Sequence, residues 1–165
     1  DEDDPDKLNQ LLRRFNTLKE ANSFWDFFWS PHIPDDIRIR SWVEVVTEGA
    51  SLQQRYAWAV PDPRALNILA HFEPIVEMGA GLGYWAALLT MGGVRVRAFD
   101  KYPNPSREWV PVERGGPEVL SSPLLRGHTL FLCFPDDYEH TDESFAARCL
   151  EAYEGDVVVH VGELI

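Results

Sequence analysis

The chain has 165 residues, 45% of them hydrophobic, and a formal net charge of −12. This length can bury one full hydrophobic core and hardly two, so we expect one domain with an appended segment. The acidic balance disfavours nucleic acid as a partner because phosphate backbones would be repelled, and removing the five carboxylates of residues 1–6 would still leave a negative chain.

Cysteine usage and hydropathy limit the cellular setting. The two cysteines, Cys133 and Cys149, suggest neither a disulfide framework nor a multi-thiolate metal site. No stretch of the sequence reaches the roughly 18 apolar residues of a membrane span, and the first residues are acidic where a signal peptide would be basic. We expect a soluble, cytoplasmic protein with no metal site and no membrane partner.

Residues 1–72 are predicted to form a helical extension that packs on the core. A first helix, from residue 6 to about 22, has one apolar stripe, which consists of Leu8, Leu11, Leu12, Phe15 and Leu18. The segment SFWDFFWSP (23–31) then places five aromatic residues within six positions. These aromatic residues either anchor the extension to the core or form a substrate lid or a partner surface.

Two further helices are predicted in the extension. The second spans about 34–47, ends before Gly49 and has its inward side chains at Ile37, Trp42, Val45 and Val46. The third begins with Asp62 as its N-cap and Pro63 as its first residue. Its buried stripe is predicted to consist of Ala65, Leu66, Leu69 and Phe72.

From residue 73 to 165, short apolar runs alternate with helical patterns. The predicted strands are IVEM (75–78), VRVRAF (94–99), EWVPV (108–112), HTLFLCF (128–134) and DVVVHV (156–161), the third weakened by Pro111. Helices are predicted at 84–91 and after Thr141 as an N-cap, the latter with inward residues Phe145, Ala146, Cys149, Leu150 and Tyr153. This alternation implies an open, mainly parallel α/β sheet.

The turn between the first strand and the next helix contains Gly79, Gly81 and Gly83. Glycine permits backbone angles that other residues avoid, and its missing Cβ lets a ligand lie against the main chain beside a helix N-terminus. The dinucleotide fingerprint needs its third glycine where Tyr84 stands, so a pyrophosphate ligand is disfavoured. Asp100 ends the second strand, where its carboxylate could accept both hydroxyls of a ribose. The alternative is a tight turn that binds no ligand.

These residues resemble a known family. VEMGAGLGYWAALL followed by VRAFD is similar to the first two motifs of class I S-adenosylmethionine-dependent methyltransferases, and the stretch 55–89 resembles a poorly characterised subgroup of them. The resemblance covers roughly residues 55–163. It implies that the three glycines flank the amino-acid portion of the cofactor, that Glu77 organises that end and that Asp100 binds the ribose. The implied cofactor-binding residues are Glu77, Gly79, Ala80, Gly81, Gly83, Tyr84, Asp100 and Pro135.

The resemblance also implies the fold. We expect an α/β, Rossmann-like open sheet with flanking helices and the N-terminal helical extension. The family usually completes its sheet with a sixth and a seventh strand, whereas the sequence ends just after the fifth predicted strand. Either those strands lie outside this sequence, or the fifth strand is an edge that needs cover.

The acceptor side of the site is less defined. The segment CFPDDYEH (133–140) follows the fourth strand, where such enzymes place residues beside the transferred methyl group. A general base could come from Asp136, Asp137, Tyr138, Glu139 or His140, although each could equally be a turn or surface residue. Methyl transfer often needs only alignment in a dehydrated pocket, so the catalytic residues stay unknown.

Two further groups of residues are candidates for recognising the adenine and for lining the pocket. The edge of the adenine would be read near VERGG, by Glu113 or by the backbone of Gly115 and Gly116. Four aromatic residues could line the pocket, with core packing as the favoured alternative for the two tryptophans: Tyr56, Trp58, Tyr84 and Trp85.

Three functional hypotheses follow. The first is a methyltransferase that acts on an unidentified acceptor, a small molecule or a protein rather than nucleic acid. The second is an inactive, methyltransferase-like module that binds the cofactor and acts on a protein partner through its N-terminal aromatic residues. The third is a nucleotide-dependent oxidoreductase on a related sheet. This hypothesis is disfavoured because Tyr84 stands where the dinucleotide fingerprint has its third glycine.

Overall fold

One open sheet organises the chain. The computed structural model describes residues 9–21, 30–136 and 143–162. The strands of the sheet are β1 (Ile75–Met78), β2 (Val96–Asp100), β3 (Glu113–Arg114), β4 (Thr129–Cys133) and β5 (Val158–Val161). They are ordered β3-β2-β1-β4-β5, and every neighbouring pair is parallel. The predicted open, parallel α/β sheet is therefore confirmed, and the strand order reverses at β1.

Helices cover both faces of this sheet. They are α1 (Gln10–Ala21), α2 (Asp35–Arg55), α3 (Pro63–Ala70), α4 (Tyr84–Met91) and α5 (Phe145–Ala152), with two 3₁₀ helices at Pro117–Ser121 and Pro123–Leu125. On one face, Trp85 and Leu89 of α4 pack with Phe131 of β4. On the other face, Cys149 of α5 packs with Val76 of β1. Because β1 is covered on both sides, all four of its residues are buried.

The extension docks on the start of α4. Leu11 of α1 is buried in a cluster with Tyr56, Tyr84 and Leu88. Asn9 is also fully buried: its side chain caps α1 by accepting the Leu12 N–H at 3.1 Å. Of the predicted apolar stripe, Leu11 is buried and Leu12, Phe15 and Leu18 are half-buried, whereas the predicted start of this helix and the aromatic segment 23–29 lie outside the described residues.

The predicted end of the second helix is wrong, because α2 continues through Gly49 to Arg55. Its last carbonyl groups are satisfied by residues distant in the sequence. The Arg107 guanidinium donates to the Gln54 carbonyl at 3.1 Å, and the Trp109 indole N–H donates to the Arg55 carbonyl at 3.0 Å. These long-range bonds stabilise two further turns that no local signal predicts.

Several side chains predicted to face inward are exposed. On α2, Ile37, Trp42 and Val46 are all more than 40% exposed. The apolar side of this helix, which consists of Ile39, Trp42, Val43 and Val46, is turned away from its packed side. The same error applies to Phe72 and Leu150. The stripe of α3 is confirmed at Leu69, and Asp62 is its N-cap, accepting the Ala65 N–H at 2.7 Å.

Two other predicted elements are displaced. The third strand consists of residues 113–114 rather than 108–112, because EWVPV packs along the glycine turn instead. Trp109 N–H donates to the Leu82 carbonyl at 2.9 Å. The last helix begins at Phe145 with Ser144 as its N-cap, so the predicted cap, Thr141, is wrong; Thr141 itself lies outside the described residues.

Candidate functional site

The glycine turn joins β1 to α4 at the carboxyl edge of the sheet. Gly79, Gly81 and Gly83 all have positive φ angles, of 70°, 57° and 72°. A Cβ on Gly83 would lie 2.9 Å from side-chain atoms of Val110 and Val112, so this glycine is required by packing. A Cβ on Gly81 would meet no atom of the protein within 4 Å. Gly81 therefore lies against open space, where a ligand can approach the backbone.

Asp100 closes this turn with its carboxylate. Its Oδ2 accepts the Gly81 N–H at 2.9 Å, and its Oδ1 accepts the Tyr102 N–H at 2.8 Å. Two other N–H groups of the turn are also bonded, Ala80 to the Phe99 carbonyl and Gly83 to the Ala80 carbonyl. A carboxylate thus occupies the position that a pyrophosphate takes at other glycine turns. An anion would be repelled here.

Glu77 lies in the middle of β1, next to the turn, and is only 3% exposed. Burial raises the pKa of its carboxyl group to about 8; the nearby Asp100 charge adds to this effect, and the Ala86 N–H opposes it. Its Oε2 has no hydrogen-bond partner among the described residues. A buried acceptor without a partner is costly in a folded protein, so this oxygen is suited to a ligand that donates a hydrogen bond.

A cavity of about 330 Å³ lies between the turn and the end of α2. This volume falls within the usual range of small-molecule sites. Its lining consists of Gln53, Gln54, Tyr56, Ala57, Trp58, Glu77, Gly79, Ala80, Gly81, Leu82, Trp85, Tyr102, Asn104 and Cys133. This lining contains a buried carboxyl group and several aromatic rings, and within the described part of the chain no lysine or arginine belongs to it.

The structure brings together seven of the residues predicted for the site. Glu77, Gly79, Ala80 and Gly81 line the cavity, and so do the predicted aromatic residues Tyr56, Trp58 and Trp85. Asp100 borders the cavity through its bond to Gly81, and Gly83 is buried at the start of α4.

Tyr84 is not among the lining residues. Its hydroxyl accepts the Leu11 N–H at 3.0 Å and donates to Asn9 Oδ1 at 3.1 Å. Burial raises the pKa of this hydroxyl group. Tyr84 therefore holds the extension rather than lining the cavity.

Asp136, which follows β4, binds the start of α5. The Asp136 carboxylate accepts the Phe145 and Ala146 N–H groups, the latter at 3.2 Å, and the Ser144 hydroxyl at 2.9 Å. It thereby caps α5, in place of the predicted general base. Pro135 is not part of the cavity lining either. The other candidates, Asp137, Tyr138, Glu139 and His140, lie outside the described residues.

The predicted adenine-reading residues are also absent from the cavity lining. Glu113 forms a bidentate pair with Arg97, at 2.9 and 2.7 Å. The N–H of Gly115 donates to the Asp100 carbonyl, and that of Gly116 donates to Glu118. These groups have partners within the protein and are absent from the lining.

Sequence reasoning missed several lining residues. Gln53 and Gln54 belong to the turns of α2 beyond its predicted end, and Tyr102 and Asn104 belong to the segment that follows β2, for which no site residue was predicted. The position of Tyr102, two residues after Asp100, was a signal that could have found it, because the carboxyl ends of parallel strands face the crevice.

Cys133 also lines the cavity. Burial and the nearby Glu77 raise the pKa of its thiol to about 12, so it is not a ready nucleophile at neutral pH. In the described ranges, no group of three or more His, Cys, Asp or Glu side chains could hold a metal ion. None of the helices described here is long and apolar enough to cross a membrane.

Comparisons with known proteins identify no relative. No family model, no curated protein and no solved structure matches the chain. The assignment of the site therefore depends on the geometry of its own residues.

Proposed function

We propose that this chain is a Rossmann-like, class I S-adenosylmethionine-dependent methyltransferase. The observation that carries the proposal is the bond between the Asp100 carboxylate and the Gly81 N–H, because it makes the glycine turn unsuited to a pyrophosphate and suited to hydroxyl donors. The strand order supports it as well, since in open parallel sheets ligands bind where the order reverses.

The lining of the cavity fits the cofactor. Each Asp100 oxygen accepts one backbone N–H and retains a lone pair for a ribose hydroxyl. Tyr102 is 71% exposed beside the cavity and offers an aromatic face to the adenine. Glu77 offers an acceptor to the ammonium group at the other end. When bound, the cofactor supplies a methyl group on a sulfonium sulfur, a cation that suits a cavity lined by a carboxyl group and aromatic rings.

The chain's own contribution to the reaction is binding and alignment. The Asp136 carboxylate is engaged at the start of α5, and burial keeps the Cys133 thiol protonated at neutral pH. Trp58 is 63% exposed at the cavity and presents a flat apolar surface to an acceptor. We infer that the residues orient the acceptor and exclude water, and that the acceptor is a small molecule or a protein segment.

A second candidate is a module that binds the cofactor without transferring its methyl group. The exposed apolar side of α2 favours it, since such a surface can contact a protein partner.

Calorimetry with S-adenosylhomocysteine, the demethylated product, tests the proposal. The wild-type chain should bind it more tightly than NAD. Gly81→Val should abolish this binding because the valine side chain would occupy the open space beside the turn, and the strain of valine at a φ of 57° should also lower the stability of the fold. Tighter binding of NAD would contradict the proposal.

Turnover distinguishes the two candidates. A cell extract supplied with methyl-labelled cofactor and the wild-type chain should accumulate a labelled product, whose mass identifies the acceptor. Binding of the cofactor without any labelled product would favour the module.

A further inference from the structure

The apolar side of α2, which consists of Ile39, Trp42, Val43 and Val46, is open to solvent. These four side chains are between 46% and 60% exposed. They follow one another over about two helical turns, at the spacing that forms a single stripe along a helix. A contiguous apolar stripe on an exposed helix is typical of an interaction surface.

The composition of α2 gives a second reason to expect a partner there. The helix is 21 residues long, none of its residues is buried, and six of them are β-branched, which lowers helix propensity. Helices in proteins owe most of their stability to the packing of an apolar face. The contacts that anchor α2 to the core lie at its carboxyl end, where Leu52 packs with Tyr56 and the last carbonyl groups are bonded. A partner on the apolar side would stabilise the preceding turns.

The charges beside the apolar side of α2 are complementary to those of a second copy of the chain. Arg40 and Glu44 are both exposed and lie one turn apart on the same flank. In an antiparallel pair of identical helices, contacts are reciprocal, and pairing about the middle of the apolar side sets Arg40 of each copy beside Glu44 of the other. Glu44 also has a contact within its own chain, and a carboxylate accepts several hydrogen bonds. Two ion pairs thus accompany the apolar contact.

A parallel pair has no such complementarity. Asp36 lies seven residues before Val43, and therefore in line with the apolar side of α2. A parallel pair would set the two Asp36 carboxylates against each other, whereas an antiparallel pair sets Asp36 near the uncharged Gly49 of the second copy. The antiparallel arrangement also holds the two cores at opposite ends of the helix pair, because each core is anchored at the carboxyl end of its own α2.

We propose that α2 forms an antiparallel helix pair with α2 of a second copy of this chain, through its apolar side and two Arg40–Glu44 ion pairs. The interface goes beyond the proposed function, since its residues are absent from the cavity lining. Two such helix faces bury roughly 1,000 Å² in total, near the lower limit for specific complexes, so the dimer is weak and reversible. At the low micromolar concentrations of unfolding experiments the chain is monomeric.

Two other occupants of the apolar side of α2 make different predictions. The aromatic segment 23–29 precedes α2 in the sequence and lies outside the described residues. If this segment covered the apolar side, the chain would stay monomeric, and substitutions there would destabilise the fold. A different protein as the occupant also predicts a monomer, but without that loss of stability.

Sedimentation velocity of the full chain over a hundredfold range of concentration is the first test. Wild type should change reversibly from monomer to dimer, with a dissociation constant of about 100 µM. Ile39→Gln should weaken the dimer about tenfold or more, because each copy loses an apolar side chain from the interface. Ile68→Gln is the matched control, since it makes the same change at an exposed position of α3 and should leave the dimer unchanged.

Charge reversal tests the antiparallel arrangement. Arg40→Glu and Glu44→Arg should each weaken the dimer about tenfold, because like charges then face each other in both ion pairs. The double variant, which carries both substitutions on one chain, should dimerise as wild type does. Its net charge equals that of wild type, so the recovery reports the pairing itself. Arg64→Glu, at an exposed position of α3, controls for the charge change of the single variants.

Three results would overturn the proposal. A wild-type chain that stays monomeric at the highest concentration would leave the apolar side of α2 to the segment 23–29 or to a different protein. A dimer that Ile39→Gln does not weaken would have its interface elsewhere. Weakening by Arg40→Glu without weakening by Glu44→Arg, and without recovery in the double variant, would indicate a parallel pair. Calorimetry with S-adenosylhomocysteine reports the proposed function separately, because the cavity is not part of this interface.

Discussion

The glycine turn and the N-terminal extension contact each other, but they differ in how well the local sequence predicts their structure. In the turn, the positive φ angles and the Asp100 bonds lie within about twenty residues of each other, and half of the eight predicted cofactor-binding residues line the cavity. In the extension, the end of α2 was predicted wrongly, and three of its four predicted inward side chains are exposed, with only Val45 half-buried. Local chemistry specifies the turn, whereas partners distant in the sequence specify the extension.

The largest effect is expected from the buried carboxyl group beside the turn. Because the folded pKa of Glu77 is about 8 against an ordinary value of 4.5, the folded state retains a proton that the unfolded state loses. The stability contributed by this group is present below pH 4.5 and is lost as the pH rises towards 8. Glu77→Gln should match wild type near pH 4.5 and exceed it by up to about 5 kcal/mol near pH 8.

Denaturant unfolding across this pH range measures the difference. Glu151→Gln, an exposed carboxylate on α5, is the control and should follow wild type throughout. If Glu77→Gln also followed wild type throughout, then the pKa of the Glu77 carboxyl group would not be raised in the folded state.

The next effect concerns the extension. Leu11→Ala should lower the free energy of unfolding by about 2–5 kcal/mol, because Leu11 is 1% exposed among Tyr56, Tyr84 and Leu88. Urea titration measures it, with the exposed Leu150→Ala as the matched control. A loss below about 0.5 kcal/mol would indicate that the extension is a separable arm, and the comparison of the two regions would need revision.

The third prediction concerns the affinity of the glycine turn for its ligand, which a substitution of Asp100 should lower. Asp100→Ala should weaken S-adenosylhomocysteine by about two orders of magnitude, since two charge-assisted hydrogen bonds to the ribose are removed. The variant also frees the Gly81 and Tyr102 N–H groups, so a modest loss of stability should accompany it. Asp156→Ala, at an exposed carboxylate before β5, controls for charge. Unchanged affinity in folded Asp100→Ala would remove the ribose assignment.

The smallest effect is expected on the exposed side of α2. Ile39 is 60% exposed, so Ile39→Gln should change the free energy of unfolding by no more than about 0.5 kcal/mol. Val45→Ala, on the packed side of the same helix, should cost more. Thermal unfolding compares the two. A larger loss in Ile39→Gln would indicate that this side of α2 is covered by another part of the protein.

The sequence could predict the parts of the fold whose causes are local. Asp62 and Pro63 mark the start of α3, and the glycines mark the turn, because capping and positive φ angles depend on a few adjacent residues. The buried strands β1 and β4 are short apolar runs, which are also visible in the sequence. The same local chemistry predicted Asp100 at the end of β2.

The rest depends on contacts that no window of the sequence contains. Gly49 is a plausible helix end until Arg107 and Trp109 bond to the carbonyl groups two turns later. EWVPV has the composition of a strand, yet Val110 and Val112 pack against Gly83. Two carboxylates illustrate this limit of the sequence, since Asp100 was predicted to bind the ribose and Asp136 was a candidate general base. Asp100 borders the cavity, whereas Asp136 caps α5.

The bonds that complete the extension also fix when it can fold. Tyr84, which holds Asn9, follows it by 75 residues, and Trp109, which holds the end of α2, follows Arg55 by 54 residues. During synthesis α1 and α2 leave the ribosome well before these partners do. The two helices therefore cannot reach their native packing until the chain has been made as far as Trp109.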